Sequence, residues 1–251
     1  MIIVAIIGPW IAPYDPWALG QEALLPPGDH IFGTDNLGRD VFSRVLYGAR
    51  PSMIIGIGSA MLAVFMGILI GLVSGYFGGK LDDLLMRITD IVLVLPAFFI
   101  IIILVSFFGG SIQLIIMILG LFSWCGCARM TRVMVLSIKQ STYVEAARAM
   151  GMSNSGIMFK EILPNALPPA IVEASLLIGR CILLESGLSF LGLGDPNLMS
   201  WGSMLFNAQA YIRSAWWMMV FPGLAILLAV LAFNFIGEGF NDALNPRLKE
   251  Q

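Results

Sequence analysis

Three charged side chains interrupt a long apolar run in the second half of the chain: Glu173, Arg180 and Glu185. A charge inside a lipid bilayer is costly unless it is paired or hydrated. Glu173 and Arg180 are seven residues apart, so on a helix they lie on nearly the same face, about two turns apart. In one interpretation these groups pair with neighbouring helices or headgroups. In the other they line a water-filled translocation path for a polar substrate.

Residue types that carry covalent or metal chemistry are scarce. His30 is the only histidine, so a histidine-based nucleophile triad or a zinc cluster lacks its usual residues. The nearest match to a phosphate-binding loop, Gly78-Gly79-Lys80, lacks the first glycine of that motif, so the chain is not expected to hydrolyse ATP itself. The sequence predicts no catalytic residue, metal site or cofactor in this chain. Three cysteines lie within apolar runs and are predicted to be packing residues: Cys125, Cys127 and Cys181.

The composition is that of an integral membrane protein. Hydrophobic residues make up 58% of the chain and charged residues 12%, against roughly 45–50% and 25% in soluble domains. Only a bundle of helices fits such long apolar runs, so we predict an all-α, polytopic membrane helix bundle in contact with membrane lipid. The formal net charge of −2 gives no reason to expect a nucleic acid partner.

The apolar runs predict about six transmembrane helices. Residues 1–12 would form only ~18 Å of helix, short of the ~30 Å hydrocarbon core, so we predict a partial first transmembrane helix there. Residues 13–50 are predicted to be an external loop, and residues 51–251 the transmembrane domain. Pro96 is expected to kink one of the spans. The five stronger spans are predicted at 53–76, 91–108, 112–127, 166–193 and 216–236.

The loop of residues 13–50 contains a segment with helical periodicity. Asp35 or Asn36 is in position to cap a helix, and the apolar side chains that follow fall on one face. The pattern predicts an interfacial amphipathic helix that lies at the membrane surface. Its apolar residues are Val41, Phe42, Val45 and Leu46.

The basic residues predict the orientation. If the loop that contains Glu145 is cytoplasmic and the spans alternate, nine Lys and Arg lie inside and four outside. This distribution agrees with the positive-inside rule, and it makes the C-terminus cytoplasmic as well. Arg129, Arg132 and Lys139 are expected to reach the headgroups at the end of the third strong span.

A regular polar segment follows these basic residues. Thr142 and Glu145 have the spacing of a capping box, and Gly151 can adopt the left-handed conformation that ends a helix. Residues 153–156 have the composition of a turn, and a second apolar stretch comes after them. We predict a short, rigid helix–turn–helix that protrudes between two spans and docks in a groove. Small residues would let the partner surface approach its backbone closely: Ala146, Ala147 and Ala149.

This segment resembles the EAA loop of ABC-importer permease subunits. That motif runs Glu-Ala-Ala, then three residues and Gly, with Leu-Pro about a dozen residues further on. In that family the loop forms the coupling helix, which sits in a cleft of the cytoplasmic ATPase. The resemblance implies a coupling loop at about residues 139–164, although Glu161 stands where this branch usually has His. The residues implied in ATPase coupling are Glu145, Ala146, Ala147, Gly151, Leu163 and Pro164.

Further segments are similar to one branch of these permeases, the dipeptide, oligopeptide and nickel importers, and specifically to the second of their two permease subunits. The similarity extends from Tyr14 to Arg247. Glu238 and Asn245 depart from it, since Asp is commoner at both positions. The similar segments are Gly33-Thr34-Asp35, Leu37-Gly38-Arg39-Asp40, Tyr47-Gly48-Ala49-Arg50 and the ranges 185–194 and 237–247.

The resemblance implies an ABC importer type I permease fold in a prokaryotic plasma (inner) membrane. The chain would form half of the translocation path of a binding-protein-dependent importer. Its implied partners are a second homologous permease subunit in a heterodimer, two cytoplasmic ATPase subunits that bind ATP and Mg, and an external or periplasmic substrate-binding protein.

The predicted substrate is a peptide, because the chain lacks a His or Cys cluster that could ligate nickel directly. A nickel chelate needs no such ligands, so nickel or nickel-chelate import remains an alternative. An ion-coupled secondary transporter that uses Glu173, Arg180 and Glu185 as a relay is a second alternative, and a membrane scaffold that transports nothing is a third.

Overall fold

Helices build the fold of the computed structural model, which describes residues 1–244. Among these residues the only β pairing is an isolated bridge between Thr34 and Asp40. Asn245 and the C-terminus lie outside the described residues. The helices are α1 (Ile2–Ile11), α2 (Val41–Phe77), α3 (Gly79–Val94), α4 (Ala97–Phe108), α5 (Ile112–Ser123), α6 (Cys125–Ile138), α7 (Thr142–Ala149), α8 (Asn154–Gly156), α9 (Leu163–Phe190), α10 (Trp201–Ala208) and α11 (Trp217–Leu244), with a π-helix (Ile157–Ile162) before α9 and a 3₁₀ turn (Gln209–Tyr211) after α10.

The start of α2 is capped by Asp40. One oxygen of its carboxylate accepts a hydrogen bond from the backbone N–H of Ser43 at 2.7 Å, and the other lies 2.9 Å from Nδ1 of His30. The predicted cap, Asp35 or Asn36, was wrong. Three short polar side chains precede the helix within six residues, and only the folded loop decides which of them reaches its first turn.

α2 runs without a break from Val41 to Phe77, so the predicted interfacial helix does not exist as a separate element. Pro51 lies inside α2 and removes only the one hydrogen bond that its missing N–H would donate. The apolar residues assigned to the membrane surface are instead packed inside the protein, which favours a continuous helix. Three of them are buried: Val41, Val45 and Leu46.

Glycines in α2 allow close contact with other helices. A Cβ on Gly71 would stand 2.5 Å from the carbonyl oxygen of Ala128 in α6. A Cβ on Gly56 would stand 2.4 Å from the side chain of Ile182 in α9. A larger residue would force the backbone of α6 to shift at Gly71 and the side chain of Ile182 to shift at Gly56, so both glycines have the role of small residues in membrane helix packing.

Two of the predicted spans are bent. α3 and α4 meet at an angle of 83° around Pro96, which confirms the predicted kink. Leu95 is extended, as a residue before proline tends to be (φ −69°, ψ 137°). α5 and α6 meet at 44° beside Trp124, where we predicted an unbroken helix. No proline marks that second bend, so the sequence offers no signal for it.

The chain forms two compact units, each with its own core. In the first unit the core surrounds Trp201 of α10, whose indole N–H donates to the carbonyl of Val45 at 2.9 Å. The backbone N–H of Trp201 donates to the hydroxyl of Ser52 at 3.2 Å, so α10 is bound to α2 at two points. The first unit comprises Met1–Gly58, Ile101–Ile116 and Ile178–Phe233.

The second unit contains the predicted coupling loop. Its described part comprises Ser59–Ile100, Met117–Leu177 and residues 234–244. Its core joins the end of α2, the end of α6, α7 and the π-helix. The fully buried side chains of this core include Leu72, Val135, Val144, Ile157 and Ile162.

Among residues 1–244, three helices are long and apolar enough to cross a membrane, or up to five if each bent pair forms one span. α1 is apolar but has only ten residues, or about 15 Å of helix. Its assignment as a partial transmembrane helix stays a prediction, and so does the count of six. The three long segments are Val41–Phe77, Asn154–Phe190 and Trp217–Ala243.

Candidate functional site

α7, the predicted coupling helix, runs from Thr142 to Ala149. Ser141 occupies its N-cap position, but the hydroxyl of Ser141 donates to the carbonyl of Ile138 at 2.7 Å and no side chain caps α7. The predicted capping box of Thr142 and Glu145 is therefore wrong, because Thr142 is already the first helical residue. Glu145 still lies in the first turn, where a negative charge is favourable to the helix dipole.

Gly151 ends α7 in the left-handed conformation that we predicted, with φ +81°. The N–H of Gly151 donates to the carbonyl of Arg148 at 3.0 Å, and the N–H of Met152 donates to the carbonyl of Ala147 at 3.1 Å. These two bonds form a Schellman motif. A Cβ on Gly151 would meet nothing within 4 Å, so glycine is required by the backbone conformation alone.

One face of α7 is anchored and the other is open. Val144 (0% exposed) and Ala147 (4%) pack in the core of the second unit, whereas Tyr143 and Met150 are exposed. Ala147 was predicted to contact the ATPase, but the structure places it against the chain's own core, where it positions α7. Leu163 is half-buried. The residues of the predicted coupling set that are exposed are Glu145, Ala146, Gly151 and Pro164.

A second helix follows α7 after a short turn, which confirms the helix–turn–helix. Ser153 caps its start by accepting a hydrogen bond from the N–H three residues on, at 3.2 Å. The segment Ile157–Ile162 is a π-helix, and the N–H of Leu163 donates to the carbonyl of Met158 five residues back. Pro164 comes next and has no N–H to donate. The Leu-Pro of the motif therefore marks the place where π-helix becomes α-helix.

Tyr76, at the end of α2, joins three elements of the second unit. Its hydroxyl donates to Oδ1 of Asn154 at 2.7 Å, at the start of the helix that follows α7. Its backbone carbonyl accepts from Nζ of Lys139 at 2.5 Å, and that ammonium lies 5.6 Å from the centre of the Tyr76 ring. This contact was not predicted from the sequence, and Lys139 was expected among the headgroups instead. A tyrosine at the end of an apolar helix was the available signal.

Two ion pairs join α3 to α6. Arg132 donates two hydrogen bonds of 2.6 Å to the carboxylate of Asp82, and the hydroxyl of Ser74 in α2 also donates to that carboxylate. Arg129 pairs with Asp90 nearer the surface. Arg129 and Arg132 were predicted to reach the headgroups, but both are held by α3. Bidentate pairing of this kind fixes the geometry of two helices as well as their charge.

The three charges of the apolar run have different surroundings. Glu173, in the second unit, is half-buried, and its Oε1 lies 3.8 Å from where a Cβ on Gly126 would stand. Arg180 is exposed. Glu185, in the first unit, is 1% exposed and accepts a hydrogen bond of 2.7 Å from the hydroxyl of Ser189. Their role in a translocation path stays a prediction.

The cysteines pack in the interior, as predicted. All three are buried and none forms a disulfide. Sγ of Cys127 lies 3.9 Å from the hydroxyl of Thr131 and 3.9 Å from the carbonyl of Val64, beside the close contact of α2 with α6. Within residues 1–244, no group of three His, Cys, Asp or Glu side chains is placed to hold a metal ion. The buried cysteines are Cys125, Cys127 and Cys181.

Comparisons with protein families and with known proteins agree on the kind of protein that this chain is similar to. Residues 67–250 match the family model described as "Binding-protein-dependent transport system inner membrane component". The chain is 39% identical to the di/tripeptide transport system permease protein DppC of Pseudomonas aeruginosa, over 99% of this chain and 85% of that protein. It is 40% identical to the oligopeptide transport system permease protein OppC of Haemophilus influenzae, over 98% of this chain and 81% of that protein.

A solved structure has a similar fold. A chain of the methionine ABC transporter MetNI, in an inward-facing conformation, superposes with a TM-score of 0.66. The match covers 80% of this chain and 96% of that chain, at 20% sequence identity. At that level of identity the likeness concerns the fold alone.

Proposed function

This chain belongs to the family of inner membrane components of binding-protein-dependent transport systems, and from that membership we propose that α7 couples it to a cytoplasmic ATPase. The family that the sequence resembled is thereby confirmed, and so are the permease function and the all-α importer fold. The residues that perform the coupling, the exact partners and the substrate are the subject of the proposal.

The observation that carries the proposal is the geometry of α7. Val144 and Ala147 anchor the helix to the core of the second unit, and the Schellman motif at Gly151 fixes its end. The opposite face presents Glu145, Ala146 and Met150 on a rigid support. A surface that must transmit force needs this combination, because a flexible loop would absorb a displacement instead of passing it on.

Displacement of α7 has a direct route to the membrane helices. The Tyr76 contact ties the helix after α7 to the ends of α2 and α6 within the second unit. ATP binding would close the pair of ATPases and carry the docked helices of both permeases with them. The spans would then change from an inward-facing to an outward-facing state, and nucleotide would bias that two-state equilibrium. The chain itself makes no covalent bond.

The proposed assembly has five proteins. A second, homologous permease forms a heterodimer with this chain, and the two permeases enclose the translocation path. Two ATPase subunits bind ATP and Mg on the cytoplasmic side, where α7 and the C-terminus lie. A substrate-binding protein delivers its cargo from the outer side. The excess of basic residues in the loops assigned to the cytoplasm supports this orientation.

The proposed cargo is a peptide, since the relatives named above carry di/tripeptide and oligopeptide in their names. Import of nickel or a nickel chelate by the same mechanism is the second candidate, and the cargo that co-purifies with the binding protein distinguishes them. An ion-coupled secondary transporter has less support, because Arg180 is exposed while Glu185 is buried beside a serine hydroxyl. Its test is uptake driven by an ion gradient without ATP.

The first experiment is affinity purification of this chain from its native membrane, with and without ATP, followed by mass spectrometry. We expect a second permease and two ATPase subunits. Uptake of radiolabelled dialanine and ATP hydrolysis are then compared in proteoliposomes for the wild type and Glu145→Ala. The variant should hydrolyse ATP but transport little. Wild-type uptake in Glu145→Ala would refute the coupling role, and recovery of the chain alone would refute the assembly.

A further inference from the structure

A polar cavity of about 470 Å³ opens in the first unit, between the loop before α2 and the segment that joins α9 to α10. Ligand pockets in proteins commonly have volumes of roughly 300–1,000 Å³, so the cavity has the size of a small-molecule site. In the proposed orientation it faces the outer side, where the binding protein releases its cargo.

One wall of the cavity carries more positive than negative charge. Arg39 and Arg44 both line it, and both contact a single carboxylate, that of Asp35. Nε of Arg39 lies 2.7 Å from Oδ2 of Asp35, and Nε of Arg44 lies 3.5 Å from the same oxygen. Arg44 is also buried and donates to the carbonyl of Pro16 at 2.9 Å. Two guanidinium groups that share one carboxylate leave one positive charge to be balanced.

The opposite charge is found on Asp195, which also lines the cavity. Its two oxygens accept backbone hydrogen bonds from Ile112 at 3.2 Å and from Asn197 at 3.0 Å. Within the described residues no cationic side chain pairs with it. The cavity thus holds one unbalanced positive charge and one unbalanced negative charge, which is the complement of a zwitterion.

The remaining walls are held in place and suit a small organic ligand. Trp17 and Phe206 present exposed aromatic surface. Gly192 has φ +81°, and a Cβ there would stand 3.1 Å from the Phe206 ring. Glycine therefore lets the Phe206 ring lie close to the backbone of residue 192. Gln209 donates to the carbonyl of Phe190 at 2.7 Å, which ties the segment after α10 to the end of α9.

We propose that this cavity binds the two charged ends of a short zwitterionic peptide. Arg39 and Arg44 hold its carboxylate, and Asp195 holds its ammonium group. Bidentate recognition of a carboxylate by arginine is a strong, directional contact. The inference rests on the proposed peptide cargo and places a contact for that cargo on the permease itself, in addition to the one made by the binding protein.

The test uses the complex of both permeases and both ATPases in nanodiscs, without binding protein, so that competition occurs at the permease. The probe is the dipeptide alanyl-photoleucine, which is photolysed and then mapped by mass spectrometry. We expect adducts on Trp17 or Phe206. Dialanine should compete at about tenfold lower concentration than its C-terminal amide or its N-acetyl derivative, because each blocked form loses one charge-assisted contact.

Two variants and one control complete the design. Arg39→Gln should reduce labelling on the order of tenfold. Asn207→Trp fills the cavity without changing its charge and should also abolish labelling. Arg50→Gln removes an exposed arginine of the same unit that does not line this cavity, so its labelling should equal that of the wild type.

Adducts confined to other segments, equal competition by the blocked peptides, or unchanged labelling in Arg39→Gln would each overturn the proposal. Loss of the second permease from purified Asn207→Trp would also overturn it, because the cavity would then be filled by a protein partner. Uptake of dialanine by wild-type proteoliposomes with binding protein is measured in parallel. If uptake occurs and labelling does not, only this inference fails. If uptake does not occur, the proposed cargo fails and the inference with it.

Discussion

Gly151 holds a backbone conformation that other residues adopt only at a cost, and this makes it a sharp test of α7. We predict that Gly151→Ala strains the end of the helix by roughly 1–2 kcal/mol and lowers the amount of substrate transported per ATP hydrolysed. The measurement is coupled uptake and ATP hydrolysis in proteoliposomes. Asn tolerates the left-handed conformation better than Ala does, so Gly151→Asn should have a smaller effect.

Gly78→Ala is the matched control for this prediction. Gly78 also has a positive φ, +66°, and a Cβ there would likewise meet nothing within 4 Å. It lies between α2 and α3, outside α7. If Gly78→Ala lowered coupling as much as Gly151→Ala does, backbone strain in general would explain both losses. That result would contradict the specific role of Gly151.

The hydroxyl of Tyr76 is the second prediction at this scale. Tyr76→Phe removes the 2.7 Å hydrogen bond to Asn154, which is worth about 1 kcal/mol, and we expect less transport per ATP with little change in ATP hydrolysis. Asn154→Ala should have the same effect, and the double variant should be no worse than either single one. Tyr211→Phe, in the first unit, is the control. Additive losses in the double variant would show that the two residues act separately.

Single residues differ in how far the sequence could predict them. The conformation of Gly151 was predictable, because glycine after a short helix has one common use. The burial of Ala147 was not, because alanine suits an exposed helix and a core equally well. The cap of α2 was not predictable, because Asp40 competes with other short polar side chains at similar spacing. The binding of Lys139 to Tyr76 was not predictable either, because the two residues are distant in sequence.

Among the helices, α3 and α6 are joined by the pair of Asp82 and Arg132. We predict that Asp82→Asn lowers the free energy of unfolding by about 1–3 kcal/mol, which is less than for a fully buried pair because the Arg132 side chain is 30% exposed. The measurement is the shift in Tm of the purified complex in detergent.

Asp90→Asn is the control for this pair. It removes the partner of Arg129, but both side chains of that pair are more than half exposed. Exposed ion pairs contribute little to stability, so the Tm should change much less. Equal shifts in Asp82→Asn and Asp90→Asn would mean that the bidentate contact does not hold the two helices together.

Helix boundaries were predictable where local chemistry decides them. Pro96 produced a bend, whereas Pro51 did not interrupt α2, because packed side chains on both sides of Pro51 outweigh the loss of one hydrogen bond. The break beside Trp124 has no proline to mark it, and the π-helix Ile157–Ile162 is marked only at its end, by Pro164.

For the whole molecule, the long helices have more apolar surface than the chain can bury. Only 28–39% of the residues in the most apolar part of each long helix are buried. We predict that this chain, expressed without the proposed second permease, is degraded faster and has a lower Tm in detergent than the chain within the proposed complex. Pulse-chase measurement in cells with and without the partner gene tests this. Equal half-lives would mean that lipid alone covers the exposed surface.

The membrane-bundle architecture and the family were predictable from composition and from motifs at separated places in the chain. The cavity beside Arg39 and Asp195 was not predictable from the sequence, because its charged residues come from segments more than 150 residues apart. No local pattern signals a site that only the folded chain assembles. The division of the chain into two compact units was also not predicted.

The bond between His30 and Asp40 gives the protein an internal spectroscopic probe. Because the chain has one histidine, selective ¹⁵N labelling of histidine would yield a single imidazole in an NMR spectrum of the subunit. That ring lies 2.9 Å from the carboxylate that caps α2. Its chemical shifts therefore report whether the N-terminal turn of α2 is capped, and the loop can be followed through the transport cycle without an introduced label.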